Sequence, residues 1–270
     1  MRKKANQSNR HAPPVVLTIA GSDCSGGAGL QADLKTFTAL GAYGCSAVTC
    51  VVAENPGTCG SITPVPAPRV REQIELVLDA YPVAAIKTGM LYSAAIVRTV
   101  AAVLRERAPG LPLVVDPVML ASTGDSLLKE NAKEVVQKRL LPLATLVTPN
   151  REELRWLAGM KLAGEEACGA FGRELASHYG GAFLLKSVVT DQRGAVDLLC
   201  TAEKTVGLRH AWMKDLSLHG TGCTLASAIA ARLAHGDDLL GAVRAGKDFF
   251  VRAMRRAHRL GRFRVLNYLE

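Results

Sequence analysis

Short, largely apolar runs alternate with amphipathic helical patterns along most of the 270-residue chain, and this alternation restricts the fold more than any other feature. The runs lie at residues 15–20, 45–53, 83–86, 113–115, 145–148, 183–185 and 195–199. Between the first two, Leu30, Leu34 and Phe37 recur at helical spacing. Apolar strands joined by crossover helices are typical of a parallel sheet that is buried on both sides. The pattern therefore predicts an α/β fold with a central, mostly parallel sheet and helices on both faces.

Several helical segments have recognisable ends. Ser93 is placed to cap a helix that ends near Arg107. A further helix is predicted over residues 127–141, and another after Asn150. No internal repeat or linker interrupts the alternation. We therefore expect a single domain over residues 14–264, between an arm of residues 1–13 and a C-terminal tail of residues 265–270.

The net charge of +9 is concentrated at the two ends of the sequence. Residues 1–11 carry +4 and residues 252–270 carry +5, whereas residues 12–251 are neutral overall. Basic stretches without interleaved aromatic residues are typical of solvated faces or flexible arms, so we expect a flexible basic N-terminal arm and no nucleic-acid partner. The sequence has no run of about 18 apolar residues, and residues 1–11 lack the apolar stretch of a signal peptide. These features predict a cytoplasmic protein without a membrane partner.

Polar residues follow directly after most of the apolar runs. The carboxyl ends of parallel strands meet at one edge of a sheet, and open sheets of this kind bind their ligands there. The residues expected at this edge are of kinds that bind phosphate, metal ions or amide groups: Gly21, Asp23, Glu54, Lys87, Asp116, Asn150 and Lys186. We expect them to contribute to one site.

A glycine-rich segment, residues 21–29, follows the first run and leads into the first helix. Its glycines let backbone N–H groups approach a ligand closely. It is not a P-loop, because Ala28-Gly29-Leu30 stands where that motif requires Gly-Lys-Ser/Thr. Residues 27–32 match the GxGxxA pattern of dinucleotide-binding proteins, but they lie seven residues beyond the strand end and no acid follows at the expected distance. A Rossmann dehydrogenase is therefore disfavoured.

A second glycine-rich segment, residues 219–224, reads His-Gly-Thr-Gly-Cys-Thr and precedes a helical pattern. The first N–H groups of a helix have no partner within it, and together with the helix dipole they form an anion site. We expect Gly220, Thr221, Gly222 and Cys223 to stabilise charge on a transferred phosphoryl group. A helix N-terminus also lowers the pKa of a thiol, which predicts a Cys223 thiolate at neutral pH.

Asp116, Asn150 and Glu153 offer oxygen ligands for Mg²⁺, which typically keeps several waters and binds few protein carboxylates. Asn150 is equally suited to cap the helix that follows it. Lys186 and Lys247 are candidate phosphate contacts, although single lysines are more often solvated. These residues predict a metal and phosphate subsite beside the anion site.

Six segments, in one order between residues 15 and 251, resemble the hydroxymethylpyrimidine/phosphomethylpyrimidine kinases of thiamine biosynthesis. They are LTIAGSDCSGGAGLQADLKTF at residues 17–37, GAYGCS at 41–46, KTGML at 87–91, VDPVML at 115–120, TPNREE at 148–153 and HGTGCTL at 219–225. The resemblance implies a ribokinase-like fold, ATP and Mg²⁺ as cofactors, and a homodimer. It implies phosphorylation of the small molecule 4-amino-5-hydroxymethyl-2-methylpyrimidine, and then of its monophosphate, to the diphosphate.

The resemblance also gives each candidate residue a role. The substrate-binding residues are Gly21, Asp23, Glu54, Met90 and Val118. The ATP-binding residues are Asn150, Lys186 and Lys247, and those that serve Mg²⁺ are Asp116 and Glu153. The catalytic residues are Cys223, which activates the substrate hydroxyl, and its neighbours in the anion site, Gly220, Thr221 and Gly222.

Two positions depart from the family pattern. The family typically has Gln where this chain has Glu54, and an amide both donates to and accepts from an aminopyrimidine, whereas a carboxylate only accepts. Unless the ring nitrogen or the acid itself is protonated, this pairing is lost, so Glu54 predicts either a protonated pyrimidine or a changed substrate. After Lys186 the family usually has Gly-Gly-His, and here Ser187 begins Ser-Val-Val, which predicts weakened or reshaped ATP binding.

Other functions remain open from the sequence. A kinase that acts on pyridoxal or another hydroxymethyl heterocycle is the main alternative. A cysteine hydrolase would use Cys223 as its nucleophile, but His219 is the only histidine close to it in the sequence, and Asp116 and Asn150 would have no role. A ligand-binding sensor without turnover would account for the altered segment after Lys186.

Overall fold

The structure is a computed structural model and describes residues 12–120, 124–191, 194–210 and 218–269. One sheet is formed by β1 (Val15–Asp23), β2 (Tyr43–Asn55), β3 (Thr58–Pro64), β4 (Val83–Thr88), β5 (Leu113–Val115), β6 (Leu146–Val147), β7 (Ala182–Asp191), β8 (Gly194–Cys200) and β9 (Thr205–His210). Its strand order is β3-β2-β1-β4-β5-β6-β7-β8-β9. The six neighbouring strands β2, β1, β4, β5, β6 and β7 pair in parallel. At the two edges of the sheet, β3, β8 and β9 pair antiparallel to their neighbours. The predicted mostly parallel sheet is confirmed.

Helices cover both faces of this sheet, as the sequence predicted. They are α1 (Gly29–Ala39), α2 (Ala67–Ala80), α3 (Ala94–Arg107), α4 (Glu130–Val135), α5 (Arg151–Ala158), α6 (Glu165–Tyr179), α7 (Thr221–Ala234) and α8 (Leu239–Arg255). One buried cluster joins the sheet to α2, α3 and α6 and includes Ile74 and Val100. A second joins it to α1, α7 and α8 and includes Phe37, Ile229 and Val243. Within the described residues, no helix is both long enough and apolar enough to cross a membrane.

The strand order explains where a ligand site can form. From β1 the chain moves to β2 on one side, and it later returns to β4 on the other side of β1. The loops after β1 and β4 therefore leave the sheet in opposite directions and open a crevice at the carboxyl ends of these strands. Gly21 lies in the last part of β1, and Met90 follows β4.

The helix expected over residues 127–141 is only partly correct. The N–H of Leu127 donates to the Met119 carbonyl oxygen at 2.8 Å, and Leu128 forms a bridge with Tyr92. These contacts with other segments override the helical spacing, and α4 begins only at Glu130. The chain then continues through a π-helical turn at Val136–Leu140 and a 3₁₀ turn at Leu141–Leu143. Ser93, in contrast, caps α3 as predicted, and that helix ends at Arg107.

The end of the described chain packs against the domain. A hairpin of β10 (His258–Leu260) and β11 (Phe263–Val265) follows α8, so the boundary expected after residue 264 falls inside a strand. Beyond it, Leu266 is 5% exposed and packs with Leu218 and Ala253. Residues 266–268 are therefore in contact with the domain rather than separate from it. Of the predicted N-terminal arm, residues 1–11 lie outside the described residues.

Candidate active site

A cavity of about 830 Å³ opens at the carboxyl ends of the parallel strands, a volume within the range of ligand and cofactor sites. The structure brings most of the predicted site residues to its wall: Gly21, Glu54, Met90, Asp116, Val118, Asn150, Glu153, Lys186, Gly220, Thr221, Gly222 and Cys223. Asp23 and Lys247 lie behind the wall. The structure thus places these twelve residues around one cavity, while Lys87, also expected there, is fully buried.

One end of the cavity is apolar and is formed by Met90, Val52, Leu127 and Val118. A Cβ at Gly21 would lie 2.8 Å from the Cys50 sulfur and 3.3 Å from the Met90 sulfur, so a larger residue would displace the pocket wall. Val118 has a φ of +43°, which is a strained conformation for a β-branched residue and is typical of positions that shape a site. This end suits a flat, largely apolar ring.

Asp23 organises the loop beneath this pocket. Its carboxylate accepts hydrogen bonds from the N–H groups of Ser25 at 2.7 Å and Ala28 at 2.7 Å, and His219 Nε2 lies 3.0 Å from Asp23 Oδ2. Burial alone would raise the pKa of Asp23, but these partners outweigh it and lower the pKa to about 2. Asp23 is therefore ionised, and it orients His219 and the glycine loop instead of facing a ligand directly.

Glu54 lies at the edge of the ring pocket, where its Oε2 is 3.9 Å from His219 Nε2. Burial raises the pKa of the Glu54 carboxyl, the nearby charge of Asp23 raises it further, and His219 partly opposes both. For His219, burial would lower the pKa, but the Asp23 carboxylate outweighs burial and raises it. The arrangement favours an imidazolium between the two acids and a Glu54 side chain that keeps its proton to a higher pH than an exposed glutamate.

The predicted anion site is formed by the first turn of α7. Gly220 is the N-cap residue with a φ of +79°, and a Cβ there would lie 1.8 Å from the Gly27 carbonyl oxygen. Only glycine allows this contact between the two glycine-rich segments. The amides of Thr221, Gly222 and Cys223 follow at the start of the helix, where they have no acceptor within it, and all three residues line the cavity.

The Cys223 thiol differs from the expectation of a thiolate. Burial raises its pKa to about 12, and the carboxylates of Asp33 and Asp116 add to this rise. Lys87 and the N–H of Gly29 act in the opposite direction but do not compensate for burial. The thiol is therefore protonated at neutral pH, because the loss of solvation exceeds the effect of the helix N-terminus.

A buried ion pair, which sequence reasoning missed, lies below the anion site. The Lys87 side chain is 0% exposed, and its Nζ donates to both carboxylate oxygens of Asp33 at 2.9 Å. Asp33 also accepts hydrogen bonds from Thr18 and Ser227, each at 2.6 Å. The signal in the sequence was Asp33 itself, an acid within the apolar face of α1 beside Leu30. A buried acid at such a position requires a partner.

The other end of the cavity is polar. Lys186 Nζ lies 3.2 Å from Asp116 Oδ1, which also accepts a hydrogen bond from Thr148 Oγ1 at 3.4 Å. A Cβ at Gly222 would lie 3.3 Å from Asp116 Oδ2 and 3.4 Å from Lys186 Nζ, so this pair borders the anion site. Burial would lower the pKa of Lys186, but the carboxylates of Asp116 and Glu153 outweigh it and raise the pKa. A fixed cation and a carboxylate oxygen thus lie beside the α7 amides.

Asn150 and Glu153 form a capping box at the start of α5. Asn150 Oδ1 accepts from the N–H groups of Glu152 and Glu153 at 2.9 and 3.0 Å, and Glu153 Oε2 accepts from the Asn150 N–H at 2.8 Å. Glu153 Oε1 accepts from the Met119 N–H at 3.3 Å, and burial raises the pKa of this carboxyl. Both carboxylate oxygens of Glu153 have backbone donors, so of the two predicted metal ligands Asp116 is the one with an oxygen beside Gly222.

Lys247 does not reach the cavity. Its Nζ lies 2.5 Å from Asp197 Oδ2, and burial lowers its pKa. Asp197 in turn accepts the Ser187 N–H at 2.7 Å. Ser187 lines the cavity with a φ of +51°, the left-handed conformation that glycine adopts at low cost. Lys247 therefore supports the wall at Ser187 instead of forming a predicted phosphate contact.

Comparison with known proteins identifies the family to which this site belongs. The sequence profile described as phosphomethylpyrimidine kinase matches residues 23–266. The hydroxymethylpyrimidine/phosphomethylpyrimidine kinase of Streptomyces coelicolor is 43% identical over 256 residues, which cover 92% of this chain and 91% of that protein. The chain belongs to the phosphomethylpyrimidine kinase family. The resemblance seen in the six sequence segments is confirmed.

Solved structures agree with membership of the phosphomethylpyrimidine kinase family. The phosphomethylpyrimidine kinase of Clostridium difficile 630 has a TM-score of 0.78 and 36% identity, covering 89% of this chain and 99% of that one. A pyridoxal kinase of Staphylococcus aureus, solved with AMP-PCP and pyridoxal, has a TM-score of 0.85 and 34% identity, covering 95% and 94%. The expected ribokinase-like fold is therefore confirmed.

Members of the phosphomethylpyrimidine kinase family are phosphotransferases, and this chain is an enzyme of that class. The alternatives of a cysteine hydrolase and of a sensor without turnover are accordingly set aside. The geometry also argues against a cysteine hydrolase, since His219 Nε2 contacts Asp23 and the Cys223 thiol is protonated. A nucleophilic cysteine would need the opposite charge state.

Proposed function

We propose that this chain catalyses ATP-dependent phosphorylation of 4-amino-5-hydroxymethyl-2-methylpyrimidine and then of its monophosphate. The observation that carries the proposal is the continuity of one cavity from the apolar ring pocket, past the first turn of α7, to Asp116 and Lys186. The ring pocket would hold the pyrimidine with its hydroxymethyl group toward Gly220. The α7 amides would lie between the acceptor oxygen and the nucleotide phosphates.

The catalytic contribution of the anion site is electrostatic. Phosphoryl transfer has a loose transition state in which charge spreads over the equatorial oxygens, and positioned donors stabilise that charge. The amides of Thr221, Gly222 and Cys223 are such donors. Because the Cys223 thiol has a pKa of about 12, we assign Cys223 to this anion site and not to removal of the hydroxyl proton at neutral pH.

The polar end of the cavity suits a nucleotide phosphate chain with Mg²⁺. Asp116 offers a carboxylate oxygen beside Gly222, and Glu153 would act through metal-bound water because its own oxygens accept backbone N–H groups. When bound, Mg²⁺ would neutralise phosphate charge. Lys186 would contact the phosphates directly, and Asn150 would hold the α5 N-terminus that borders them.

Pyridoxal is the second candidate acceptor. Glu54 favours it, since an acid with a raised pKa can pair with a pyridine ring in more than one protonation state. The pyridoxal kinase from Staphylococcus aureus, whose overall fold this chain shares, provides independent support.

A coupled assay of ADP release tests the proposal. The purified chain is supplied with Mg-ATP and, in separate reactions, the hydroxymethyl pyrimidine, its monophosphate and pyridoxal. We expect turnover of both pyrimidines well above the ATP-only background, and slower turnover of pyridoxal. Turnover of pyridoxal alone would transfer the assignment to the second candidate, and no turnover of any of the three would refute both.

We also propose that the enzyme is a cytoplasmic homodimer, as the family resemblance implies. Exposed apolar side chains on β2, Val51 and Tyr43, offer a surface on which a second copy could pack. Light scattering across a tenfold range of concentration should give the mass of two chains. A single-chain mass throughout would refute the dimer, and fractionation of cells checks the location.

A further inference from the structure

One aromatic side chain outside the cavity wall contacts the second glycine-rich segment and also the lysine that binds the first. Tyr268 follows the β10–β11 hairpin, in a part of the chain that the sequence gave no reason to connect with catalysis. Its hydroxyl lies 3.1 Å from Thr224 Oγ1, and its ring lies 5.8 Å from Lys35 Nζ. The first contact is with α7, and the second is with Lys35 of α1, which in turn binds the loop that follows β1.

In the hydrogen bond between Tyr268 and Thr224 of α7, the donor can be identified. Thr224 has a single hydroxyl proton, which it donates to the Gly220 carbonyl oxygen at 3.0 Å. Its oxygen must then accept from Tyr268, so the chain of donors runs from Tyr268 to Thr224 to Gly220. The N–H of Thr224 also donates to the Gly220 carbonyl oxygen at 3.0 Å. The Tyr268 hydroxyl therefore fixes the peptide group at which the anion site begins.

The contact with the first glycine loop involves Lys35. Lys35 Nζ donates to the Gly26 carbonyl oxygen at 2.6 Å, and the Tyr268 ring lies within the distance of a cation–π interaction with the same ammonium group. Gly26 has a φ of +73°, so the loop has no regular secondary structure to fix it at this point. The ring of Tyr268 thus supports the lysine that holds the loop.

Tyr268 is itself held in place. Leu266 is buried with Leu218 and Ala253, and the N–H of Asn267 donates to the Ala253 carbonyl oxygen at 3.2 Å. Burial raises the pKa of Tyr268 to about 12, so its hydroxyl keeps the proton that the donor chain requires. The side chain is anchored on α8 and reaches the site from behind the cavity wall.

We propose that Tyr268 is a positioning residue of the phosphoryl-transfer site, which aligns the α7 anion turn with the glycine loop after β1. The contact between Gly220 and the Gly27 carbonyl oxygen joins these two segments directly, and Tyr268 links them a second time through Thr224 and Lys35. Because the amides of residues 221–223 act on the transition state, a small displacement of this turn should reduce kcat more than it weakens acceptor binding.

The test is Tyr268→Phe, which removes the hydroxyl and keeps the ring. We expect kcat to fall about 2- to 10-fold, the range for one lost neutral hydrogen bond, with KM for the acceptor changed less than 2-fold. The matched control is Tyr81→Phe, since Tyr81 is partly exposed beyond α2 and stacks on Tyr43 away from the cavity. Wild-type kcat in Tyr268→Phe would overturn the proposal.

A second variant separates positioning from general stability. In a Thr224→Val background, Tyr268→Phe should have little further effect on kcat, because both changes break the same chain of donors. If the losses of kcat in the two single variants multiply in the double variant, or if Tm falls without a change in kcat, Tyr268 only stabilises the fold.

A further readout does not depend on the acceptor. Amide hydrogen exchange of peptides covering residues 218–230 should be faster in Tyr268→Phe than in Tyr81→Phe. Kinetic ratios are taken with whichever hydroxymethyl heterocycle is turned over, so an incorrect acceptor would affect the proposed function alone. Unchanged exchange in these peptides would count against Tyr268 even if no acceptor were found.

Discussion

Replacing Glu54 by Gln should remove a pH dependence from acceptor recognition. Burial and the Asp23 carboxylate raise the pKa of Glu54, while His219 opposes them, so the acid keeps its proton above its ordinary value. A protonated carboxyl has one donor and one acceptor, which is the pattern that the amide of Gln presents. As pH rises through the raised pKa, Glu54 loses its donor and a ring nitrogen of the pyrimidine loses its partner. Gln keeps the donor at every pH.

The size of the effect follows from the burial of this end of the cavity. Leaving one buried polar group without a partner costs about 1–3 kcal/mol, which corresponds to roughly 5- to 150-fold in kcat/KM. The wild type and Glu54→Gln should therefore be similar below the raised pKa of Glu54, and the variant should exceed the wild type progressively as the pH rises above that pKa.

The thermal stability of Glu54→Gln relative to the wild type should also increase as the pH rises. A raised acid pKa means that the stabilising contribution of protonated Glu54 is present at low pH and is lost as pH rises through the folded-state pKa. Glu54→Gln should therefore have little effect on Tm below the ordinary pKa of a glutamate and should raise Tm once the pH exceeds the raised pKa of Glu54. Thermal melts across this range measure the difference without any substrate.

The assay is initial-rate kinetics with the hydroxymethyl pyrimidine at saturating Mg-ATP from pH 5.5 to pH 9. Glu152→Gln is the matched control, because this substitution also replaces one carboxyl group by an amide, but at the polar end of the cavity. A Glu54→Gln variant with lower kcat/KM than the wild type at every pH would refute the reasoning. It would mean that an ionised Glu54 faces a protonated ring, as pyridoxal or a pyrimidinium would provide.

Three further substitutions test the site. Ser187→Gly should raise the free energy of unfolding by about 0.5–1 kcal/mol in urea titrations. The left-handed φ of +51° costs a non-glycine residue about 1–2 kcal/mol, and the greater entropy that glycine has in the unfolded chain offsets part of the gain. KM for ATP should fall or stay constant, and a loss of stability would contradict the argument. Cys223→Ala keeps the α7 amides and should lower kcat less than about tenfold with the same pH profile from 6 to 9, whereas a loss of 10²–10⁴ would indicate a general base. Lys87→Met leaves Asp33 buried without its cation and should destabilise the fold by about 3–5 kcal/mol, measured by chemical denaturation, and near-wild-type stability would contradict a structural ion pair.

The parallel core of the fold could be predicted because strand and crossover helix alternate in the sequence, and each apolar run up to β8 became a strand. The segment from residue 127 could not, since the contacts of Leu127 with Met119 and of Leu128 with Tyr92 are pairings between segments, which helical spacing does not contain. Helical periodicity is a local signal, and tertiary pairing overrides it.

The position of a site residue could be predicted where its residue type commonly binds ligands at the end of a strand or the start of a helix. The glycines at residues 220 and 222 and the acid Asp116 are examples. The charge states were not predictable, because they depend on burial and on partners from distant segments. Cys223 lies at a helix N-terminus, yet burial decides its pKa, and Lys247 faces Asp197 although its position in the sequence gives no sign of a partner.

The charges around the anion site favour the proposed use of a divalent cation with the nucleotide. Lys87 is neutralised by Asp33, and Lys186 by Asp116, so the two buried lysines bring no net positive charge to the cavity. Glu153 adds a further carboxyl at the same end. A nucleotide triphosphate entering this region meets carboxylates that offset both Lys87 and Lys186, and the helix N-terminus supplies only about half an elementary charge. We therefore expect additional positive charge to arrive with the nucleotide, and Asp116, whose second oxygen faces Gly222, is well placed to receive it.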